Sequence, residues 1–182
     1  MVILYYILIL LLFFLISLSF LFLLTPLFSL IPFVPVRKKI LNEIISALEL
    51  NEQSVLYDLG CGDGRVLFTA LKVNPNIVCV GIEISPFPFL LAKMKEFFCV
   101  SKDIDISYGD FFKVDVSPAS HIFLYLFPRV LDALLPKLEK ELQIGSRVVS
   151  CDFYFSKRKP DKILEIKATK WQKNKRLYIY DF

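Results

Sequence analysis

Between Ser54 and Val66 the chain reads Ser-Val-Leu-Tyr-Asp-Leu-Gly-Cys-Gly-Asp-Gly-Arg-Val, and no other stretch restricts its fold as much. Val55 to Leu59 is a short apolar run interrupted by one acid, the pattern of a buried β-strand. Glycines then stand at 60, 62 and 64. From Arg65 onward the apolar spacing turns helical, with Val66, Leu67, Ala70 and Leu71 on one face. A glycine turn between strand and helix lets a backbone approach a ligand that side chains would strike. The helix that follows adds unpaired N–H groups and partial positive charge. A polar, nucleotide-like ligand is therefore expected on this turn. The dinucleotide fingerprint G-x-G-x-x-G is absent, because its third glycine would fall on Arg65 or Leu67. The pattern present is D-x-G-x-G-x-G, from Asp58 to Gly64. The plainer alternative is a turn that only joins strand to helix, so further ligand contacts have to come from elsewhere in the chain.

The 182 residues suffice for about one domain, and the high apolar fraction of 55% is concentrated at the N-terminus. Met1 to Leu24 contains no charged side chain. As a helix rising ~1.5 Å per residue, such a stretch crosses a hydrocarbon core of ~30 Å. A cleaved signal peptide would need a basic start and a small-residue cleavage site. No Lys or Arg precedes Arg37, so a retained single-pass anchor is expected. Arg37, Lys38 and Lys39 follow it and put the remaining domain on the cytoplasmic side, or on the matrix side in an organelle. The expected organisation is a transmembrane anchor over 1–25, a proline-punctuated connector over 26–35, and the ligand-binding domain over 36–182. Prolines 26, 32 and 35 exclude a continuous helix through the connector. Val36 to Leu50 reads as an amphipathic helix covering one edge of the cleft. The net charge of +4 is too small to indicate a nucleic-acid partner. Cys61, Cys79, Cys99 and Cys151 form no C-x-x-C pair, so no metal is expected.

Further on, Ile77 to Ile84 reads as a second buried strand, and Glu83 ends it 19 residues after Gly64. A carboxylate at that place accepts hydrogen bonds from ribose hydroxyls; the alternative is a solvated charge. Ser85 to Val100 reads as a helix with an irregular first turn at Pro86 and Pro88. Asp103 to Tyr108 reads as a third strand leading to Gly109-Asp110-Phe111-Phe112. A fourth strand spans His121 to Phe127, a helix Val130 to Leu142, and a fifth strand Arg147 to Phe155. A basic run, Lys157 to Lys159, precedes two alternating segments, Ile163 to Thr169 and Arg176 to Phe182, which read as a hairpin.

The glycine pattern resembles motif I of class I S-adenosylmethionine-dependent methyltransferases. The alternation of strands and helices, closed by a strand pair, is similar to the seven-stranded Rossmann-like α/β sheet of that family, with an antiparallel C-terminal strand. One N-terminal transmembrane helix, Pro32-Phe33-Val34-Pro35, Asp58 to Arg65, Gly81 to Glu83, Arg147 to Ser150 and Tyr180-Asp181 further resemble one group within it. That group is the membrane-anchored protein-lysine methyltransferases of the ATP synthase c-subunit and adenine nucleotide translocase type, with their archaeal relatives. The resemblance implies S-adenosylmethionine held by Asp58, Gly60, Cys61, Gly62, Asp63, Gly64 and Glu83. It implies that Asp110 takes the adenine amino group and Phe111 offers a ring face. Tyr125, at the end of the fourth strand, would contact the acceptor amine, or else serve as a core aromatic. Cys61 departs from the Ser that relatives often carry. The acceptor implied is a protein lysine; a lipid or small-molecule acceptor, or an inactive cofactor-binding module, are the alternatives.

Overall fold

The computed structural model describes residues 2–28, 34–99, 101, 103–166 and 175–182. Its elements are helix α1 (Val2–Phe28), a 3-10 turn (Lys38–Ile40), α2 (Leu41–Leu48), β1 (Val55–Leu59), α3 (Arg65–Val73), β2 (Val78–Glu83) and α4 (Pro86–Phe97). They continue with β3 (Ile104–Tyr108), a 3-10 turn (Phe111–Lys113), β4 (His121–Leu124), α5 (Pro128–Glu141), β5 (Arg147–Cys151), β6 (Lys162–Ile166) and β7 (Lys175–Asp181).

The seven strands form one sheet in the order β3-β2-β1-β4-β5-β7-β6. Strands β1 to β5 pair in parallel, whereas β7 runs antiparallel to both β5 and β6. This is the class I methyltransferase arrangement that the sequence implies. Successive strand residues feed opposite cores, as the period of two requires. Leu56, Phe123, Val149 and Ile179 join α2 and α3 on one face. Leu59, Ile122, Leu124, Val148 and Tyr180 join α5 on the other. The chain leaves β1 toward β2 and β3 and then returns to β4 on its other side. The carboxyl ends of β1 and β4 therefore border the crevice where open α/β sheets take their ligands.

Several boundaries differ from expectation. Helix α1 runs to Phe28, past Pro26, because a proline in a last turn removes only one ladder bond. Its residues Val2 to Phe20 are exposed on every side. Helix α4 is regular from Pro86, since Pro86 and Pro88 sit where helical N–H groups lack partners anyway. Strand β5 stops at Cys151 rather than Phe155, because Asp152 adopts a left-handed backbone with φ 65°. Strands β6 and β7 form the expected hairpin; residues 167–174, including Trp171 and Asn174, lie outside the described residues.

Gly81 faces Asp58 of β1 and Ile106 of β3 in register. A Cβ there would lie 2.7 Å from Ile106 Cδ1, 2.8 Å from Leu67 Cδ1 and 2.9 Å from Cys61 Sγ. Gly81→Ala is accordingly expected to destabilise the domain by about 1–3 kcal/mol, the usual cost of overpacking a core, read as a lowered urea midpoint at unchanged m-value.

Candidate functional site

The turn after β1 is built almost wholly from backbone. Gly60, Gly62 and Gly64 have φ of 84°, 58° and 73°, a region that side chains with a Cβ rarely enter. The N–H groups of Gly60 and Cys61 both donate to the Ile82 carbonyl, at 2.8 and 3.0 Å. Glu83 then closes the arrangement: Oε2 accepts from Gly62 N–H at 2.8 Å and Oε1 from Ser85 N–H at 2.7 Å. Glu83 is buried, so the solvated-charge alternative is set aside. One carboxylate thus fastens the loop after β1 to the loop after β2.

Asp63 ends the turn. Burial would raise its pKa, but hydrogen bonds from Arg65 Nε (2.7 Å) and Lys95 Nζ (2.7 Å) outweigh that and hold it at about 2. Arg65 also donates from Nη1 to the Val36 carbonyl at 2.6 Å. The segment before the first domain helix is thereby pinned against the glycine turn. Asp58, at the end of β1, lies beside Glu83 and Asp63. Burial first, and then those two neighbouring acids, push its pKa well above the usual carboxylate range.

These residues surround one cleft that is open to solvent. Asp58, Gly60, Cys61, Gly62, Asp63, Glu83, Phe111 and Tyr125 line it, so eight of the ten residues singled out from sequence meet there. Gly64 stands behind the lining as the residue preceding α3, where an added Cβ would strike the Phe68 ring at 2.7 Å. Asp110 also stands outside the lining; its carboxylate accepts from Phe112 N–H at 3.0 Å and fixes the turn that presents Phe111. Cys61 is buried among acids, which keeps its thiol protonated.

Three parts of the lining are absent from the sequence reading. Val34, Pro35 and Val36 form a wall, in place of the helix expected to cover that edge. Phe153 reaches the cleft because β5 ends early. Its ring lies 6.5 Å from that of Tyr125, with 21° between their planes, and 5.9 Å from that of Phe127. Arg65 lines the cleft as well, next to Asp63. Tyr125 itself is half-buried, and burial raises its phenol pKa. Among the described residues no cluster of His, Cys, Asp and Glu is arranged to hold a metal ion.

Comparison with known proteins gives a consistent picture. Residues 58–162 match a family profile described as the ANTKMT methyltransferase domain. The chain is 35% identical over 152 residues to a protein-lysine N-methyltransferase of Saccharolobus islandicus, covering 82% of this chain and 92% of that one. It is 30% identical over 132 residues to the ATP synthase c-subunit lysine N-methyltransferase of Mus musculus, covering 72% of this chain. It spans about half the length of that mouse relative, 52%. Among solved structures, an RNA methyltransferase from Salinibacter ruber in complex with S-adenosyl-L-homocysteine superposes with a TM-score of 0.72 at 32% identity. That match covers 81% of this chain and 93% of the other.

The buried Asp58 makes a pH prediction. Its folded pKa is raised, so the native state is penalised wherever the unfolded side chain ionises, above about pH 3.9. Stability therefore falls as pH rises from there through the raised value, and the penalty persists at pH 7. Asp58→Asn is expected to raise the ligand-free Tm at pH 7 by about 2 °C or more, and the gain should vanish below about pH 3.5. Thermal melts of both chains across pH 3 to 8 read this directly.

Proposed function

Because the chain belongs to the ANTKMT methyltransferase family, we propose that this S-adenosylmethionine-dependent enzyme methylates lysine side chains of membrane proteins, with α1 embedded in the bilayer beside them. The observation that carries the reading is the meeting of the glycine turn, Glu83, Asp58 and Tyr125 in one cleft. S-adenosylmethionine supplies an electrophilic methyl group on a sulfonium, and transfer to a neutral amine makes an N–C bond as the C–S bond breaks.

The residues present fit such a ligand. Gly60 and Gly62 leave room for close backbone approach. Each Glu83 oxygen already accepts one backbone hydrogen bond and keeps a lone pair free for a ribose hydroxyl. Among the described residues Asp63 pairs with Arg65 and Lys95 whereas Asp58 forms no ion pair, so the cleft favours a cationic ligand. Phe111 offers its ring to the adenine, with Asp110 beside it for the amino group. Tyr125, with Phe127 and Phe153, walls the part of the cleft assigned to the acceptor. Enclosure there lowers the amine pKa and favours the neutral form that reacts. Alignment supplies most of the remaining rate, and no dedicated general base is invoked.

The membrane half of the reading rests on α1 and its surroundings. The helix carries no charge along its length and approaches α4, which exposes Leu90, Met94 and Phe97, with Phe98 just beyond. Arg37, Lys38 and Lys39 follow as interfacial cations, worth ~1 kcal/mol each near anionic lipid. We assign residues 1–25 to the anchor, 26–35 to the connector and 36–182 to the catalytic domain, with Val34 and Pro35 serving both parts. The domain then sits on the cytoplasmic or matrix side.

Two measurements test the proposal. Glu83→Ala removes the ribose acceptors and leaves two N–H groups unpaired, so the S-adenosylhomocysteine affinity should fall by about 1–3 kcal/mol in calorimetry, with circular dichroism unchanged. An unaltered dissociation constant would remove Glu83 from the ligand site. Separately, membranes from cells with and without the enzyme are compared by intact-mass and peptide analysis. Lysines that gain multiples of about 14 Da only when the enzyme is present are the expected result. Methyl label found instead in RNA, extracted lipid or a small metabolite would overturn the lysine assignment.

A further inference from the structure

We propose that Asp152 first docks the ammonium of an incoming substrate lysine, which gives up its proton to solvent before methyl transfer, and that Lys175 occupies this seat until the substrate displaces it. The inference rests on the lysine-acceptor reading above and names how that acceptor is received.

Lys175, the first residue of β7, forms an ion pair with Asp152 Oδ2 and donates from Nζ to Tyr125 Oη at 3.2 Å. The same ammonium lies 5.3 Å from the centroid of the Tyr125 ring. Both charged side chains are largely buried, 21% and 17% exposed. Tyr125 lines the cleft, and so does Phe153, the residue next to Asp152. A lysine ammonium therefore already sits at the margin of the cleft, held by a carboxylate, a phenol oxygen and a ring. These are the groups that recognise a cationic amine in a half-dry site. A substrate lysine entering beside Tyr125 carries the same head group, and Lys175 links the Tyr125 hydroxyl to the Asp152 carboxylate.

An ordinary clasp between neighbouring strands is the competing explanation. Two features speak against it. Asp152 takes a left-handed backbone, with φ 65°. That kink ends β5 and brings Phe153 into the cleft, so the carboxylate and the aromatic wall are positioned by the same distortion. Asp152 N–H meanwhile donates to the Arg176 carbonyl at 2.8 Å, which secures the strand junction without the ion pair.

The two explanations predict different signs. The full chain in detergent is assayed for tritiated methyl transfer into solubilised membrane protein from cells lacking the enzyme, at varied protein concentration. Lys175→Met frees the seat and should lower the half-saturating concentration about threefold, because less of the enzyme is occupied by its own side chain. Asp152→Asn, which tolerates the left-handed backbone, should raise it about tenfold or more by removing the charged acceptor. Lys175→Arg should restore half-saturation to the wild-type value or above. The S-adenosylhomocysteine affinity should stay unchanged in all three. Shifts of the same sign in Lys175→Met and Asp152→Asn, or no shift in either, with the wild type active, would overturn the seat and leave a strand clasp. A wild type that labels no protein at all would overturn the lysine-acceptor reading, and this inference with it.

Discussion

The carboxylate of Glu83 decides the shape of everything around it. Two loops leave the sheet at neighbouring strand ends, and each has a backbone N–H directed into a buried space. An N–H left unpaired there costs about 1–3 kcal/mol. Glu83 satisfies both at once and ties the glycine turn to the end of β2. The cost is a concentration of negative charge, because Asp58 and Asp63 stand at the same end of the sheet. Among the described residues only Asp63 of the two is neutralised, by Arg65 and Lys95. Asp58 remains an expensive side chain for folding, and such groups concentrate where function needs them.

Arg65 carries this arrangement outward. Its guanidinium joins Asp63 in the turn to the backbone of Val36. A planar fork of donors suits this double task, and a lysine ammonium could not hold the same geometry. The cleft is thus made by the sheet below, the glycine turn on one side and the pinned segment on the other. The aromatic group of Tyr125, Phe127 and Phe153 completes it around the mouth.

Much of this is legible in the sequence, and the limits have physical causes. The parallel core could be read because its strands are apolar runs and its helices keep a 3.6-residue period, as in Leu131, Leu134, Leu135 and Leu138. The turn could be read because three glycines at alternate positions have little other use. What escaped reading depends on contacts between distant parts of the chain. Val34 and Pro35 read by composition as a connector too apolar for solvent, lying in the membrane interface or packed on the domain, and the Arg65 bond to Val36 is what draws their segment to the cleft. Phe153 looks like a strand residue, and only the left-handed Asp152 turns it aside. Asp110 reads as a ligand contact, and the bond its carboxylate accepts from Phe112 N–H, which shapes the turn, is not visible in the sequence. Pro86 and Pro88 suggest an irregular first turn to a rule that ignores where in the helix they fall.

The wall made by Val34, Pro35 and Val36 begins six residues after α1 ends at Phe28. A chain of that length spans about 20 Å at most. With α1 in a bilayer, the mouth of the cleft sweeps a layer no thicker than the domain itself. Encounter with an acceptor then becomes a two-dimensional search, governed by copies per unit of membrane area and not by concentration in the surrounding volume. Address would select the acceptor as much as local sequence does, and a lysine a few nanometres further from the bilayer would be invisible to the enzyme however well it fitted the cleft.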